Sequence, residues 1–426
     1  MFPTLAIQLA RKHSDFRSFF VPFVKFDPEI AYESLYNQMN KLIAQPLANS
    51  AISTVIVIDA LDECRDEEPA SAILSVLGQF VSQIPKVKFF LTGRPEPRIR
   101  EGFRLPLLAQ VTDVFVLHEV ESGQVNSDIR ALFRHQFSEL AGRRRGLDDW
   151  PSGEQLDLLC DRAAGFFVYA MAAIRFIKHK NSDPRNQLNR LLQSAGSSTL
   201  EGKTKFNTNK TLNSLYLSIL QEAFGDDDPE DDPRIRSVLG AVILAANPLA
   251  PSTIAALLDF STEDVFLPLL SAHSLLILHD DTSQPVRPFH KSFPDFVVDP
   301  TRCVNQRFHV RPPDHHTELL VGCLKLLNQE LEQNMCKLLD GVINSEVDDL
   351  KERAERHIDQ GLQYACRSWH KHLVETIPAK KPDITLVLHQ FLEGKFLFWL
   401  EVLSVLGDAR AAVDALEMVA KWLDVC

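Results

Sequence analysis

The chain has 426 residues, of which 45% are hydrophobic and 24% charged, as expected for a globular protein of about two to four domains. The formal net charge of −12 disfavours non-specific binding to DNA or RNA, whose phosphates attract a positive surface. Seven cysteines without a C-x-x-C pair favour reduced thiols in an intracellular protein, and no apolar run approaches the roughly 20 residues of a membrane span.

The first segment, MFPTLAIQLARKH, has the spacing of an amphipathic helix with Leu5, Ala6 and Leu9 on one face. It lacks a basic region followed by a small-residue cleavage site, so it is not a signal peptide. Because a natural domain seldom opens inside a helix, we expect an N-terminally truncated chain. The last residues, VAKWLDVC, also lie in a predicted helix and suggest truncation there.

Residues 1–120 are predicted to alternate between helices and strands around a parallel sheet. Asp27 is expected to cap a helix that begins at Pro28. The runs at 54–59 and 87–92 are rich in β-branched and aromatic residues, and we predict strands that are buried on both faces. A helix at about 69–84 joins them, so the strands are most simply parallel. The run VFVL at 114–117 is predicted as a third strand.

Polar side chains follow the first two strands at the point where each strand ends. Asp59, Asp62 and Glu63 follow the first, and Thr92 and Arg94 follow the second. Chemistry in an open parallel sheet collects at this edge, where carboxylates can hold Mg²⁺ or orient water and an arginine can meet phosphate charge. Alone, the acidic group could equally be a polar loop capping the next helix, and Arg94-Pro95 a simple turn. Their occurrence on successive strands favours a nucleotide site.

A nucleotide hydrolase of this type also needs a glycine-rich phosphate loop, G-x-x-x-x-G-K-[ST], on the N-terminal side of the acidic strand. Residues 1–53 contain no glycine. The triplet Gly202-Lys203-Thr204 is a poor substitute, because it follows the acidic strand and the gap back to Gly196 is five residues. Its polar surroundings favour a linker.

The rest of the chain is predicted to be mainly helical. The segment SVLGAVILAANPLAPSTIAALLD predicts a helix pair, and two strands and a helix are predicted after it, which is a winged-helix pattern. A DNA-binding role is disfavoured because this segment has no basic face. His315 and His316 are adjacent, which suits a helix start better than a metal site. The predicted domains are 1–120, a small helical domain at 121–192, a linker at 193–210, the winged helix at 211–300 and a helical region at 301–426.

The segments IVIDALDEC and FFLTGRPEPRI resemble the Walker B and sensor 1 motifs of NACHT domains in STAND-class (NLR-like) NTPases, most closely those of fungal NACHT proteins. The resemblance implies that Asp59 handles Mg²⁺ and that Asp62 and Glu63 include the catalytic base. It implies that Arg94 is the sensor 1 arginine. It also implies ATP/ADP as ligand, with Walker A expected upstream of Met1.

The segment FHKSFPDF at 289–296 resembles the winged-helix motif of the same family, whose histidine contacts the β-phosphate of ADP. His290 occupies that position, and a histidine satisfied at a helix start is the alternative. The segment Gly165–Tyr169 resembles the family's G-L-P-L motif, but Phe167 stands where the adenine-contacting proline would fall. Core packing is therefore the expectation for Phe167.

We therefore predict a partial α/β P-loop NTPase domain followed by a small helical domain, a winged helix and a helical arm. The intact family acts as a nucleotide-controlled signalling switch, and this chain is expected to hydrolyse little or no ATP without a P-loop. Protein partners, a possible homo-oligomer and a cytoplasmic location are expected, without nucleic acid or membrane contact. The alternative is a non-enzymatic scaffold.

Overall fold

The computed structural model describes all residues except 49, 65–68, 118–120, 145, 148, 180–181, 195–207, 225–232, 280, 340, 377–380 and 425–426. The chain divides into two compact units, Met1–Glu119 and Val120–Cys426, and each is considered by itself. The predicted linker at 193–210, with its Gly202-Lys203-Thr204 triplet, lies mostly outside the described residues. Residues 226–232, which form an acidic run in the sequence, lie wholly outside them.

The first unit contains a two-stranded sheet among short helices. Its strands are β1 (Thr54–Ile58) and β2 (Val87–Leu91). Its helices are α1 (Phe2–Lys12), α2 (Ser14–Phe26), α3 (Leu35–Met39), α4 (Gln45–Ala48), α5 (Pro69–Phe80), α6 (Pro97–Phe103) and α7 (Pro106–Ala109). The strands are parallel, with Thr54 opposite Val87 and Ile58 opposite Leu91, and α5 forms the crossover, as predicted.

The prediction that both strands are buried on two faces is wrong. Ile56 and Val87 point into a core formed with α1, α3 and α5. Val55, Val57 and Phe90 point the other way, and each is 59% exposed. Among the described residues of the first unit, no helix covers this face. The strand sequences suit a sheet that is covered on both faces, whereas the core of this unit covers only one face of the sheet.

Two other local predictions in this unit are also wrong. Residues 114–117 form no strand, and Val114, Phe115 and Leu117 are exposed. Pro28–Tyr32 is a short 3-10 turn, and the helix that continues through residue 48 begins at α3. Ser34 is its cap, because the Ser34 side chain accepts a hydrogen bond from the Asn37 amide at 3.3 Å.

The second unit is almost entirely helical. Its helices are α8 (Ser122–Arg143), α9 (Gly153–Ala163), α10 (Phe167–Ile177), α11 (Pro184–Ser194), α12 (Thr208–Phe224), α13 (Pro233–Leu244), α14 (Pro251–Leu258), α15 (Thr262–Ser271), α16 (Ser292–Val297), α17 (Pro312–Glu330), α18 (Leu350–His357), α19 (Gln360–Leu373), α20 (Lys381–Gly394), α21 (Phe396–Val405) and α22 (Arg410–Asp424). Two short strands, β3 (Leu276–Ile277) and β4 (Arg287–Pro288), pair antiparallel.

The order of elements from α13 to α16 is helix, helix, helix, two strands and helix. The predicted pair of helices corresponds to α13 and α14, which flank the sequence Asn247-Pro248. A bridge from Leu249 to Val286 extends the small sheet toward this turn. The helix α16 begins two residues after His290, so the sheet and the helix fix the backbone around that histidine.

Helices α17 and α19 share a buried polar network that also reaches the turn after α13. His316 Nδ1 lies 2.9 Å from His372 Nδ1, and Tyr364 Oη lies 2.7 Å from His372 Nε2. The amide of Ala246 donates to the same tyrosine oxygen at 2.9 Å. His315, in the first turn of α17, pairs instead with Glu318 at 2.8 Å. In the described residues, no group of three or more His, Cys, Asp or Glu side chains could hold a metal ion.

Helix α17 also approaches α14 unusually closely at Gly322. A Cβ atom at this position would lie 2.9 Å from the carbonyl carbon of Leu257 and closer still to the carbonyl oxygen. Because Gly322 has no side chain, the backbones of α14 and α17 can lie in direct contact.

Among the helices that the structure describes, none is long and apolar enough to cross a membrane.

Candidate functional site

The carboxyl ends of β1 and β2 meet, and the hydrogen-bond ladder continues past both strands. Thr92 donates its amide to the Ile58 carbonyl at 3.0 Å, and the Leu61 amide donates to the Thr92 carbonyl at 2.9 Å. The Thr92 hydroxyl donates to Asp59 Oδ1 and accepts from the Ala60 amide at 2.9 Å. Thr92 therefore links the end of β2 to the carboxylate that follows β1.

Ala60 has a left-handed backbone conformation, with φ 54° and ψ 53°. This conformation costs a non-glycine residue roughly 1–2 kcal/mol, so surrounding contacts must hold it. The bond from the Ala60 amide to Thr92 Oγ1 is one such contact. The turn separates Asp59 from the 3-10 turn Leu61–Glu63, which carries the other two acidic residues.

Asp62 and Arg94 form the second link between the two strand ends. Asp62 Oδ1 accepts a hydrogen bond from the Arg94 amide at 3.0 Å, and Asp62 Oδ2 lies 3.6 Å from Arg94 Nε. Only 4% of the Asp62 side-chain surface is exposed, against 44% for Arg94. Asp59 and Glu63 are exposed. The four predicted residues thus lie at one edge, with Asp62 and Arg94 engaged with each other.

This edge offers oxygen ligands of the kind that Mg²⁺ prefers, namely the exposed carboxylates of Asp59 and Glu63 beside a threonine hydroxyl. It does not form a complete metal cage, because the described residues contain no group of three or more His, Cys, Asp or Glu side chains that could hold a metal ion. Mg²⁺ is usually bound by one or two carboxylates together with substrate phosphates, so the donor set fits a nucleotide-bound ion. Asp59 would hold the ion through its water shell, and Glu63 could orient a water.

Replacing Thr92 with valine is expected to destabilise the first unit locally by about 1–3 kcal/mol, because a part-buried amide loses its acceptor and Asp59 loses its donor. Hydrogen exchange of peptides that cover residues 54–63 measures this local opening. Thr92→Ser keeps the hydroxyl and should exchange almost as slowly as the original chain. Equal exchange in the valine variant would contradict the linking role of Thr92.

His290 lies in the second unit, at the turn between β4 and α16, and its side chain is exposed. Its Nδ1 atom is 2.7 Å from Ser292 Oγ. The preceding residue, Phe289, lies under the guanidinium of Arg175, whose carbon is 4.5 Å from the ring centroid. Arg175 also donates to the carbonyls of His273 and Leu276 at 2.5 Å, and burial lowers its pKa. Helix α10 is thereby tied to β3 and to the residue before His290.

Sequence reasoning missed several residues of this second group. Ser292 follows His290 by two residues, a spacing at which side chains often bond to the local backbone, so this contact could have been found. Arg175 and Tyr216, whose hydroxyl oxygen lies 2.7 Å from Ser292 Oγ, are far away along the chain and carry no such signal. The expectation that Phe167 packs in the core is wrong, because it is 45% exposed at the start of α10. Tyr169, two residues later on the same helix, is buried.

Comparisons with known proteins cover both units. Residues 1–94 match the sequence profile of the family described as Nephrocystin 3, N-terminal. Over 399 residues, the chain is 22% identical to the vegetative incompatibility protein HET-E-1 of Podospora anserina. That alignment covers 87% of this chain and 27% of the relative. No solved structure matches the chain significantly.

Proposed function

We propose that this chain is part of a NACHT-like, NLR-related signalling switch, in which the edge carrying Asp59 and Glu63 engages Mg²⁺ and a nucleoside phosphate. The observation that carries the proposal is the pair of links Thr92–Asp59 and Arg94–Asp62 between two parallel strand ends. Such links hold carboxylates in fixed positions where phosphoryl chemistry collects in open parallel sheets. The similarity to a fungal vegetative incompatibility protein supports a signalling role.

In this proposal the four residues of the edge have different tasks. Asp59 holds the Mg²⁺ ion through water, and the exposed Glu63 is the residue that orients an attacking water. Asp62 is largely buried against Arg94, so it positions the loop and the arginine, and Arg94 meets phosphate charge with its exposed end. For the second unit, considered by itself, the family resemblance implies that His290 donates to a phosphate oxygen of ADP.

We further propose that the 426-residue polypeptide binds nucleotide weakly and hydrolyses it very slowly. Residues 1–53 contain no glycine, so no P-loop of the usual composition precedes β1 within this sequence. A P-loop supplies several backbone donors and a lysine to the phosphates. Each charge-assisted hydrogen bond contributes roughly 1.5–3 kcal/mol, so a site without several of them loses orders of magnitude in affinity.

The test is titration of the purified chain with a fluorescent ADP analogue, with and without Mg²⁺, alongside an ATP hydrolysis assay. Asp59→Asn is expected to remove the Mg²⁺-dependent part of binding, which corresponds to a roughly tenfold or greater loss of affinity. Asp113→Asn, which changes another exposed carboxylate of the same unit, is the matched control. Hydrolysis above background that Asp59→Asn abolishes would overturn the proposal of a hydrolysis-deficient site. Binding that neither Mg²⁺ nor Asp59→Asn alters would overturn the site itself.

A non-enzymatic scaffold is the second candidate, and its partner contacts would involve apolar side chains on the last helices. Leu386, Leu397 and Val413 are exposed on α20, α21 and α22, respectively. Exposed apolar side chains mark a protein contact where they form one contiguous patch. Oligomers that form without nucleotide, and that Glu63→Ala and Arg94→Ala leave unchanged by light scattering, would support the scaffold over the switch.

A further inference from the structure

Two histidine rings stack on each other in the second unit, and each follows the last turn of a helix. His179 comes two residues after α10, and His273 comes two residues after α15. Their ring centroids lie 4.2 Å apart, with an angle of 30° between the ring planes. Arg175, one turn before His179, donates to the His273 carbonyl at 2.5 Å. Three side chains that can each carry a positive charge therefore meet at this contact.

The charged side chains around the stack add to its positive charge. His179 and Arg175 are the charged groups that act on His273, and neither is an acid. From the end of α8, Arg144 donates to the His179 carbonyl at 3.2 Å and brings a further positive charge to the same turn. A proton taken up by either ring therefore enters a region that already holds two guanidinium groups.

Helix α8 also brings one carboxylate toward this turn, and other cations hold it. Glu139 lies 3.6 Å from the Lys178 ammonium group and 2.6 Å from the guanidinium of Arg143. Lys178 directly precedes His179 in the sequence, so this ion pair uses the negative charge that the turn could otherwise share with the histidine. We therefore do not expect Glu139 to stabilise a charged ring in the stack.

The neutral form of His273 uses both of its ring nitrogens within its own turn. Nδ1 donates to the Leu270 carbonyl at 3.0 Å, because a carbonyl oxygen can only accept. Nε2 lies 3.3 Å from Ser274 Oγ, whose hydroxyl can donate to it. Burial lowers the pKa of His273 and the charge of His179 lowers it further, although the Leu270 carbonyl opposes both. The stacked arrangement therefore favours the uncharged ring.

We propose that the stack of His179 on His273 is a proton-sensitive contact, which holds the end of α10 against the α15–β3 segment at neutral pH and releases it in mild acid. The protons come from solvent, and each protonated ring gains one positive charge. Two charged rings at this separation, beside the Arg175 guanidinium, would repel each other. Release would return both rings to water, where the charged form is stable.

The direction of the pH dependence follows from the pKa of His273 in the two forms. A solvated histidine titrates near 6.5, whereas the pKa of His273 in the stack is lower. The stack is therefore favoured above about pH 6.5 and weakens as the pH falls below that value. For each proton taken up, the equilibrium constant for release rises at most about tenfold per pH unit.

Release of α10 would also affect the small β3–β4 sheet. Arg175 donates to the Leu276 carbonyl on β3 at 2.5 Å, and its guanidinium lies over the ring of Phe289, directly after β4. Both contacts depend on the position of α10. The inference involves no ligand, so it stands or fails independently of the proposed nucleotide site.

Hydrogen exchange of the full chain at pH 7.5 and 5.5, corrected for the intrinsic pH dependence of exchange, tests the release. Peptides that cover residues 170–179 and 268–277 are expected to lose about three- to tenfold in protection between the two pH values. His273→Phe keeps an aromatic ring in the stack but does not titrate, so these peptides should lose at least threefold less protection. His135→Phe, at an exposed position on α8, is the control and should behave like the original chain.

Two results would overturn the inference. The first is equal protection of both segments at the two pH values in the original chain, and the second is an undiminished loss of protection in His273→Phe. Because acid also acts on α19 in the same unit, variants are compared at the same pH. If His273→Phe does not fold, His179→Phe replaces the other ring of the stack. An undiminished loss of protection in that variant would equally overturn the inference.

Discussion

Replacing Gly322 with alanine is expected to lower the free energy of unfolding of residues 120–426 by about 3 kcal/mol. The added Cβ would overlap the carbonyl group of Leu257 on α14. Overpacking in a core usually costs about 1–3 kcal/mol, and the upper end applies here because the obstacle is backbone. Helices α14 and α17 would have to separate, which would also loosen the contact between α17 and α19.

Urea unfolding followed by tryptophan fluorescence measures this effect in the correct unit, because all four tryptophans lie after residue 120. Gly142→Ala is the matched control, since a Cβ there would meet no atom within 4 Å. That change in α8 should be neutral or stabilising by up to about 1 kcal/mol, because alanine has the higher helix propensity. Equal stabilities for the two variants would show that α14 and α17 do not touch as described.

Mild acid is expected to destabilise the same unit strongly through His370 and His372. Burial lowers the pKa of His372 to about 3 and that of His370 to about 4, and neighbouring positive charges contribute. An unfolded histidine titrates near 6.5. Below that pH these histidines are protonated in the unfolded chain but remain neutral in the folded chain. The free energy of unfolding is therefore highest above about pH 6.5 and falls as the pH decreases toward the folded pKa values. Each histidine costs up to about 1.4 kcal/mol per pH unit.

Between pH 6.5 and 4.5 the two residues together should therefore remove on the order of 2–5 kcal/mol. His372→Gln should reduce this dependence, because glutamine does not titrate, although it breaks the contacts with His316 and Tyr364 and lowers stability at neutral pH. His389→Gln, at an exposed position on α20, is the control for the loss of a histidine. A pH dependence that is the same in both variants would refute the role of the buried network.

The sequence predicted the parts of the fold that local patterns encode. The β-branched run at 54–58 and the run at 87–91 are strands, and the crossover between them makes them parallel. The same pattern led to the wrong prediction that both faces of the strands are buried. An apolar strand sequence indicates that both faces could be covered, but it does not indicate whether this unit contains the elements that would cover them. The predicted strand at 114–117 is absent for a related reason, because a short apolar run forms a strand only when a neighbouring strand can hydrogen-bond with it.

The sequence likewise predicted only part of the candidate site. The positions of Asp59, Asp62, Glu63 and Arg94 at one edge follow from strand ends that meet in a parallel sheet. Their pairing does not, because the choice of Asp62 as partner of Arg94 depends on the 3-10 turn after Ala60. At His290, the contact with Ser292 is local, whereas Tyr216 reaches it only through the packing of α12 against α16.

The exposed face of the β1–β2 sheet has a further consequence, which concerns association between molecules. Val55, Val57 and Phe90 form an apolar surface on the two strands, and no further strand pairs with their outer edges in the described residues. Such edges are templates for intermolecular β-pairing, and proteins usually protect them with charges, prolines or covering helices. Lys88 is the only charged residue in either strand. Taken by itself, the first unit therefore presents an exposed apolar sheet face of the kind that favours intermolecular β-pairing.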